Sequence, residues 1–282
     1  MTALHLHTWG PPDAPPLLLL HGFPEYGGAW AEVAAHLPGY RCIAPDQRGY
    51  GLSPAPPEVE AYRIGALTGD IAALIDEIGA PLPVVAHDWG AAVAYALAIR
   101  RPDLVSALIV VNGVHPGPFQ RELAKGGAQS VASAYIEYLR DPRAEERLAA
   151  DGFAGLQRLF AARMDMRWLS GPVLEAYRAE WSRPGRLTGM VNWYRATPLR
   201  VAEAGRPLDL PLLPVDAGLI RPPHLVLWGE DDTALLPVCL DGLDAWCPDL
   251  TVRRIPGADH WICHQKPAEV AMAISTWLDQ RQ

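Results

Sequence analysis

Short apolar runs recur along the chain, and most are separated by segments in which apolar residues have helical spacing. Residues 16–20 are continuously apolar, as expected of a strand buried on both faces, and residues 67–78 have the spacing of an amphipathic helix. Strands are predicted at residues 4–9, 16–20, 41–45, 82–87, 107–111, 224–228 and 251–255. This alternation predicts an α/β fold with a mostly parallel sheet and helices on both faces.

The pattern changes between residue 115 and about residue 210, where strand-like runs stop. Helical segments rich in Ala, Arg, Glu and aromatic residues replace them. These helices are predicted at residues 131–139, 144–150, 155–164, 172–181 and 185–196. The sequence therefore predicts a core in two parts, 1–114 and 216–282, with an inserted helical cap at 115–215.

Composition narrows the classes of partner and compartment. The 282 residues include 24 Lys and Arg against 32 Asp and Glu, a formal net charge of -8. This balance argues against nucleic acid and anionic membranes, which bind basic faces. Residues 1–5 lack the basic start of a secretion signal, and residues 17–20 are too short to span a bilayer, so we expect a cytoplasmic protein. Four cysteines without metal-ligand spacing are expected to be reduced and mostly buried: Cys42, Cys239, Cys247 and Cys263.

The stretch from residue 82 to residue 92 places a carboxylate at a sharp turn between strand and helix. In Ala86-x-Asp88-x-Gly90, the small residues on either side of the centre let strand and helix approach closely. A carboxylate there can attack an sp³ carbon and form an ester, which activated water then hydrolyses. Asp88 therefore indicates opening of an epoxide or displacement of a halide. A simple helix N-cap is the alternative that this stretch alone leaves open.

Further reactive side chains follow other predicted strands. Residues 21–25 follow the second strand, Asp231 and Asp232 follow the strand at 224–228, and His260 follows the last strand. Open α/β sheets bind their ligands beyond the carboxyl ends of the strands. The order nucleophile, acid, histidine along the chain is that of the α/β-hydrolase triad. We therefore predict that Asp88, one of the two acids and His260 act together.

Five segments carry a resemblance to a known family. They are His21-Gly22-Phe23-Pro24-Glu25, Asp46-Gln47-Arg48-Gly49-Tyr50-Gly51-Leu52-Ser53, His87-Asp88-Trp89-Gly90, Asn192-Trp193-Tyr194-Arg195 and Asp259-His260-Trp261. With them the chain resembles the soluble epoxide hydrolases of the α/β-hydrolase fold over nearly its full length. The first three segments are shared with haloalkane dehalogenases, whereas the Asn-Trp-Tyr-Arg segment favours epoxide hydrolases.

The resemblance implies a catalytic triad of Asp88 as nucleophile, His260 as base and Asp232 as the acid beside the histidine. Asp232, rather than Asp231, matches the family's acid because it precedes an apolar pair at the expected distance. Asp231 is expected to be solvated or to form a turn.

The resemblance also implies two cap tyrosines that hold the epoxide oxygen. Tyr194 matches one of them, and Tyr135 is the better match for the other. Tyr138, about one helical turn away, is the alternative to Tyr135. A phenol with a pKa of about 10 stays protonated at neutral pH, so it can donate a hydrogen bond as charge develops on the oxygen.

The remaining implied features surround the nucleophile. The backbone amides of Phe23 and Trp89 match the family's oxyanion hole, and Pro24 is expected to be cis. Glu25 is expected to help order the hydrolytic water. The resemblance implies no metal and no organic cofactor.

These observations predict an epoxide hydrolase that opens a small apolar epoxide to a vicinal diol through a covalent aspartyl ester, with water as the second substrate. An apolar pocket wall is expected from cap side chains, among them Phe119, Phe153, Phe160, Met164, Met166 and Trp168. The sequence leaves open which epoxide is used and whether the chain works alone or as a homodimer.

A haloalkane dehalogenase is the nearest alternative, because it uses the same aspartate. Trp89 offers one indole donor to a halide, but Phe23 stands where the second donor, an asparagine, is expected. A cap tryptophan could replace that donor: Trp168, Trp181 or Trp193. A non-catalytic ligand-binding protein of the same fold is a further alternative, which the intact acid, histidine and tyrosines disfavour.

Overall fold

The structure, a computed structural model, describes residues 4–161 and 164–281. The strands are β1 (Leu6–Trp9), β2 (Pro16–Leu20), β3 (Arg41–Pro45), β4 (Leu82–His87), β5 (Val105–Val111), β6 (His224–Gly229) and β7 (Leu250–Ile255). They form a seven-stranded sheet in the order β1-β3-β2-β4-β5-β6-β7. β1 pairs with β3 in the antiparallel sense, and every other pair is parallel. The predicted mostly parallel sheet is confirmed.

Helices connect the strands and cover the sheet. They are α1 (Ala31–Ala35), α2 (Ile64–Ile78), α3 (Trp89–Arg100), α4 (Pro116–Ala124), α5 (Ala128–Ala132), α6 (Tyr135–Arg140), α7 (Ala144–Ala161), α8 (Gly171–Trp181), α9 (Arg186–Ala196), α10 (Ile262–Gln265) and α11 (Pro267–Asp279). None of the helices in the two described stretches is long and apolar enough to cross a membrane. Met1 to Ala3, part of the segment on which the prediction about a leader rests, lie outside the described residues.

The strand β2 explains why the sheet is buried on both faces. Successive side chains of a strand point to opposite faces. Leu17 and Leu19 belong to one apolar cluster, with residues of α1 and α11, whereas Leu18 and Leu20 belong to another, with residues of α2 and α3. All four leucines are fully buried. The continuous apolar run of residues 16–20 is therefore the sequence of a strand with helices on both sides.

Helices α4 to α9 all lie between β5 and β6, within residues 115–215, which we call the cap segment. Helix α4 is absent from the sequence prediction, because Pro116, Gly117 and Pro118 together suggest a turn. They instead form the first turn of the helix, where an amide hydrogen has no partner within the helix, so proline loses nothing by lacking one. The predicted helix at 131–139 is also wrong in its bounds, since α5 and α6 are separate helices.

The helix α7 is interrupted at residues 150–153, where the backbone leaves the helical conformation. Asp151, Gly152 and Phe153 all have positive φ there. The two helices predicted at 144–150 and 155–164 correspond to the two parts of α7, except that residues 162 and 163 lie outside the described residues.

Candidate active site

Asp88 lies between β4 and α3 with φ 50° and ψ -120°, a conformation that is costly for a residue with a side chain. The elbow is tight: a Cβ on Gly90 would overlap the carbonyl oxygen of Leu20 and would lie 2.6 Å from that of His21. A Cβ on Gly22 would overlap the Asp88 carboxylate. Asp88 makes no side-chain capping hydrogen bond to α3, so the N-cap alternative does not account for it.

The two oxygens of the Asp88 carboxylate face different partners. Oδ1 accepts a hydrogen bond from the backbone amide of Phe23 at 2.8 Å. Oδ2 lies 3.6 Å from Nε2 of His260. One oxygen is therefore held by an amide of the loop after β2, while the other faces the histidine.

Asp232 holds the other side of the His260 ring. Its Oδ2 lies 2.8 Å from His260 Nδ1, and its Oδ1 accepts the amides of Ala234 and Leu235. Asn112, at the end of β5, donates from Nδ2 to the same Oδ2 at 2.7 Å. The carboxylate is thus fixed on both oxygens and orients the histidine.

Burial opposes ionisation of Asp88 and of His260, but the interaction between them outweighs it. The hydrogen bond to His260 and the charges of His260 and His87, with the Phe23 amide, lower the pKa of Asp88. The Asp232 and Asp88 carboxylates hold the pKa of His260 well above its ordinary value. The resting site therefore contains an ionised carboxylate beside an imidazolium.

Tyr135 and Tyr194 face the same cavity as Asp88, and their ring centroids are 6.1 Å apart. Burial, followed by the Asp88 charge, raises the pKa of Tyr135. Burial, followed by Tyr135 and Asp88, raises the pKa of Tyr194 well above its ordinary value. Both phenols are therefore protonated. Tyr138 lies elsewhere, with the Arg147 guanidinium 5.2 Å from its ring centre.

The loop after β2 and the start of α3 supply backbone donors next to Asp88. The Phe23–Pro24 peptide bond is cis, as predicted. Trp89 is the first residue of α3, and the first amides of a helix have no partner within the helix. The Phe23 amide, which donates to Asp88, and the Trp89 amide thus both lie next to the Asp88 side chain or backbone. Asp231, by contrast, is exposed.

Two cavities meet at Asp88, Tyr135 and Tyr194. The wide arm has a volume of about 480 Å³ and is also lined by Phe119, Ile136, Trp193 and Leu235, among others. The narrow arm has a volume of about 50 Å³ and is also lined by Phe23, Leu159, Phe160, Met164, Ala234, His260 and Trp261. Of the predicted pocket wall, Phe119, Phe160 and Met164 line an arm, whereas Phe153, Met166 and Trp168 line neither.

The tryptophans that could serve as a second halide donor are engaged or remote. The indole of Trp193 donates to the carbonyl of Arg48 at 2.9 Å, and that of Trp181 donates to the carbonyl of Pro24 at 2.8 Å. Trp168 lines neither arm.

Glu25 is buried and lines neither arm. Its Oε2 lies 3.1 Å from Nδ1 of His87, and its Oε1 lies 2.6 Å from Nε2 of His264 and accepts the Tyr177 hydroxyl at 3.2 Å. Burial opposes the charge, but the two histidines outweigh it and hold the pKa of Glu25 well below its ordinary value. This placement does not favour direct contact between Glu25 and water in the arms.

One group of possible metal ligands occurs in the described part of the chain. Ligand atoms of His5, His7 and Asp46 lie within 4.8 Å of one another. Asp46 already accepts hydrogen bonds from the amides of Gly27 and Leu52. None of the three side chains lines either arm, so the group is separate from the candidate active site.

Sequence reasoning missed three residues that support the site. Asn112 carries a usable signal, because it is a polar residue directly after a buried strand. His264 and Tyr177 carry no such signal, because each is an ordinary polar residue on a helix. Both contact Glu25, which is 239 positions from His264 and 152 positions from Tyr177 in the sequence.

Comparison with known proteins agrees with the fold. The family described as alpha/beta hydrolase fold matches residues 15–154. The AB hydrolase superfamily protein YfhM of Bacillus subtilis is 34% identical over 98% of this chain and 94% of its own length. Epoxide hydrolase 1 of Caenorhabditis elegans is 32% identical over 99% of this chain and 68% of its own length.

Solved structures give the same result. An epoxide hydrolase from metagenomes of hot environments is 35% identical, with a TM-score of 0.87 over 98% of this chain and 97% of that one. The epoxide hydrolase of Bacillus megaterium in complex with an inhibitor is 30% identical, with a TM-score of 0.85 over 98% and 96% of the two chains. Because this chain is at least 30% identical to these epoxide hydrolases over 98% or more of its own length, it belongs to the epoxide hydrolase family of the α/β-hydrolase superfamily.

Proposed function

We propose that this protein hydrolyses epoxides to vicinal diols through a covalent ester on Asp88. The observation that carries the proposal is that Asp88, Tyr135 and Tyr194 line the same two arms, with His260 bordering one of them. A carboxylate nucleophile and two phenolic donors are what ring opening and protonation of the epoxide oxygen require. The relatives named epoxide hydrolases support the same class of reaction.

The first step forms the ester. Oδ1 of Asp88 is held by the Phe23 amide, so Oδ2 is the oxygen that attacks an epoxide carbon. The ring bond from that carbon to oxygen breaks, and its electron pair remains on the oxygen. Tyr135 or Tyr194 donates the proton. The products are a hydroxyalkyl ester on Asp88 and a tyrosinate.

Ester formation prepares His260 to act as a base. Esterified Asp88 no longer carries the charge that helps to raise the pKa of His260. The imidazolium therefore releases its proton more readily, and a proton from this source restores the tyrosine. Asp232 keeps the neutral ring oriented through Nδ1, which leaves Nε2 to accept a proton.

The second step hydrolyses the ester. His260 Nε2 takes a proton from water as the water oxygen bonds to the Asp88 carboxyl carbon. The Phe23 and Trp89 amides stabilise the negative charge that develops on Oδ1. The ester bond then breaks, the diol leaves with a proton from His260, and ionisation of the new carboxyl group restores the resting pair.

The first test measures two products. The purified protein is incubated with styrene oxide and with bromoalkanes, and diol and bromide are measured, with Asp88→Asn as the control. We expect diol from the wild type, no bromide, and no steady turnover by the variant. Bromide without diol would favour the dehalogenase, and inactivity on both substrates would favour a ligand-binding protein.

The covalent step has its own test. In a single turnover in heavy-oxygen water, the label enters the Asp88 carboxylate rather than the diol, because water attacks the carboxyl carbon. Mass spectrometry of the peptide that contains Asp88 measures this. A His260→Gln variant is expected to accumulate the ester. Label in the diol after the first turnover, with no adduct in the variant, would contradict the two-step scheme.

The three predicted cap tryptophans do not support the haloalkane dehalogenase. The indoles of Trp181 and Trp193 are bonded to backbone carbonyls, and Trp168 lines neither arm.

A further inference from the structure

The two arms differ about tenfold in volume, 480 Å³ against 50 Å³, and this difference restricts the substrate. The inference rests on the proposed function. An epoxide with its oxygen at Tyr135 and Tyr194 and a carbon at Asp88 has to extend its substituents into the arms. The substituents on its two carbons therefore meet spaces of very different size.

The wide arm suits a bulky apolar group. Its volume lies within the usual range for small-molecule sites, about 300 to 1,000 Å³. Side chains such as Phe119, Ile136 and Leu235 form its wall. A hydrocarbon substituent in this arm loses no hydrogen bond to water and exchanges an aqueous for an apolar surface.

The narrow arm has room for water and for little else. It borders both Asp88 and His260, between which the hydrolytic water must lie. One water molecule occupies about 30 Å³ in the liquid, a large part of the arm. The aromatic rings of Phe23, Phe160 and Trp261 limit it, with Phe160 packed between the other two at centroid distances of 5.6 and 5.2 Å.

We propose that the substrates are terminal epoxides with one bulky apolar substituent. The substituent lies in the wide arm, and the narrow arm receives the unsubstituted carbon and the hydrolytic water. Phe160 sets the limit, because a substituent on the second carbon would meet its ring and displace the water beside His260.

The test compares two isomeric epoxides of octane. One has the epoxide group at the end of the carbon chain, and the other has a trans epoxide group in the middle of the chain. They have the same atoms, so only the distribution of bulk differs. We expect a kcat/KM about tenfold or more higher for the terminal isomer, as is typical when a pocket lacks room for added methylenes. Phe160→Ala is expected to reduce this ratio several-fold, and Phe160→Leu is a milder variant if the first folds poorly.

A matched control enlarges the other arm. Phe119→Ala is expected to change turnover of the terminal isomer without improving that of the mid-chain isomer. Equal turnover of both isomers by the wild type, or an unchanged ratio in both Phe160 variants, would overturn the substrate class alone. Turnover of neither isomer would overturn the proposed function together with it.

A second inference has an independent basis in the buried cluster of Glu25, His87, His264 and Tyr177. The His87 ring has an acceptor at each nitrogen: Glu25 at Nδ1, and the backbone carbonyl of His260 at Nε2, 2.9 Å away. The His87 ring therefore ties Glu25 to the backbone of the catalytic histidine.

The cluster also joins the cap segment to the core. Tyr177, on α8, donates to the Glu25 oxygen that faces His264. Trp168, also in the cap segment, stacks on the His264 ring with a centroid distance of 3.8 Å and an interplanar angle of 5°. Only 8% of the His264 side chain is exposed. His264 is thus held by a cap ring on its face and by Glu25 at its edge.

We infer that His264 is a positioning residue for hydrolysis of the ester. It fixes the Glu25 carboxylate, which fixes His87, which in turn holds the His260 carbonyl. His260 acts as a base only in the second step, so loss of His264 slows hydrolysis and leaves ester formation nearly unchanged. The inference rests on the two-step scheme proposed above.

Rapid-quench kinetics separate the two steps. His264→Leu removes the donor, whereas His264→Gln keeps an N–H that can reach Glu25. We expect the leucine variant to hydrolyse the ester about tenfold more slowly, with ester formation within about threefold of wild type, since one positioned hydrogen bond is worth about 1 to 2 powers of ten in rate. The glutamine variant should recover most of the loss.

His36→Leu is the control, because His36 is exposed on the core surface. A purely structural role for His264 would lower the melting temperature while both steps change together or not at all, and that result would overturn the inference. Failure of the glutamine variant to recover hydrolysis better than leucine would do the same. Absence of any ester in the wild type and in His260→Gln would instead contradict the two-step scheme.

Discussion

In the proposed mechanism, single atoms of Asp88 and its neighbours have separate roles. One carboxylate oxygen is bound to the Phe23 amide and the other faces His260. Burial and the Asp88 charge raise the pKa of both tyrosines, so in the proposed mechanism they give up a proton only when the epoxide oxygen becomes strongly basic. Each proposed role therefore has a specific substitution that tests it.

Tyr135→Phe removes a hydroxyl from the site without removing the ring. We expect kcat to fall by about tenfold to hundredfold, less than the full effect of a general acid because Tyr194 can still donate. Tyr138→Phe is the matched control, since Tyr138 lines neither arm and lies against Arg147. Equal losses in the two variants, measured with the same terminal epoxide, would contradict the assignment of Tyr135.

The His260 pKa predicts how stability depends on pH. Its value in the folded protein lies well above the 6.5 of the unfolded chain, so its charged interactions stabilise the folded state fully below about pH 6.5. That contribution is lost as the pH rises through the folded-state pKa. We expect the difference in unfolding free energy between wild type and His260→Gln, measured in urea, to decrease from pH 6 towards pH 10. A difference that stays constant over this range would contradict the raised pKa.

At the residue scale, the sequence predicted those site residues that lie within a local motif. Asp88 and His260 follow strands and lie in recognisable segments, and the structure brings them to 3.6 Å from each other. Asn112, His264 and Tyr177 escaped prediction for a physical reason. Their partners are fixed only by tertiary packing, across separations of 120, 239 and 152 positions.

At the scale of elements, Glu25 joins the loop after β2 to β4, α8 and α10. Glu25→Gln removes a buried carboxylate whose two oxygens face His87, His264 and Tyr177, and each buried polar group left unsatisfied costs about 1 to 3 kcal/mol. We expect that loss in the free energy of unfolding, measured in urea. Glu77→Gln, on the exposed side of α2, should change it by less than about 0.5 kcal/mol. Similar values for the two variants would show that the cluster contributes little.

The elements of the core were predicted more closely than those of the cap segment. The bounds of β2 and β3 match the prediction, because an apolar run between turn residues specifies a buried strand locally. Helix α4 was missed and α5 was fused with α6, because short helices of mixed composition are stabilised by the surface beneath them rather than by their own pattern.

At the scale of the whole molecule, the reactivity of the four cysteines measures how completely the core excludes solvent and reagents. All four are free and buried. Burial raises the pKa of Cys42 to about 11 and those of Cys239 and Cys247 to about 12, so the reactive thiolate is scarce as well as covered. We expect no thiol to react with Ellman's reagent in the native protein and four to react in guanidinium. Fewer than four in guanidinium would indicate a disulfide and contradict the prediction of reduced thiols.

The cap segment leaves the sheet after β5 and returns at β6, and these two strands are hydrogen-bonded neighbours. With respect to the sheet, the cap segment is therefore one long connection between two adjacent strands, whose positions fix its ends. Doubling the length of a flexible loop costs only about 0.6 kcal/mol in closure entropy. Helices of this loop can be lengthened, shortened or exchanged during evolution without altering the strand register behind Asp88 and His260. Tyr135 and Phe160 lie within it, so the selectivity proposed for the epoxide can diverge between descendants as long as the contacts of Tyr177 with Glu25 and of Trp168 with His264 are kept.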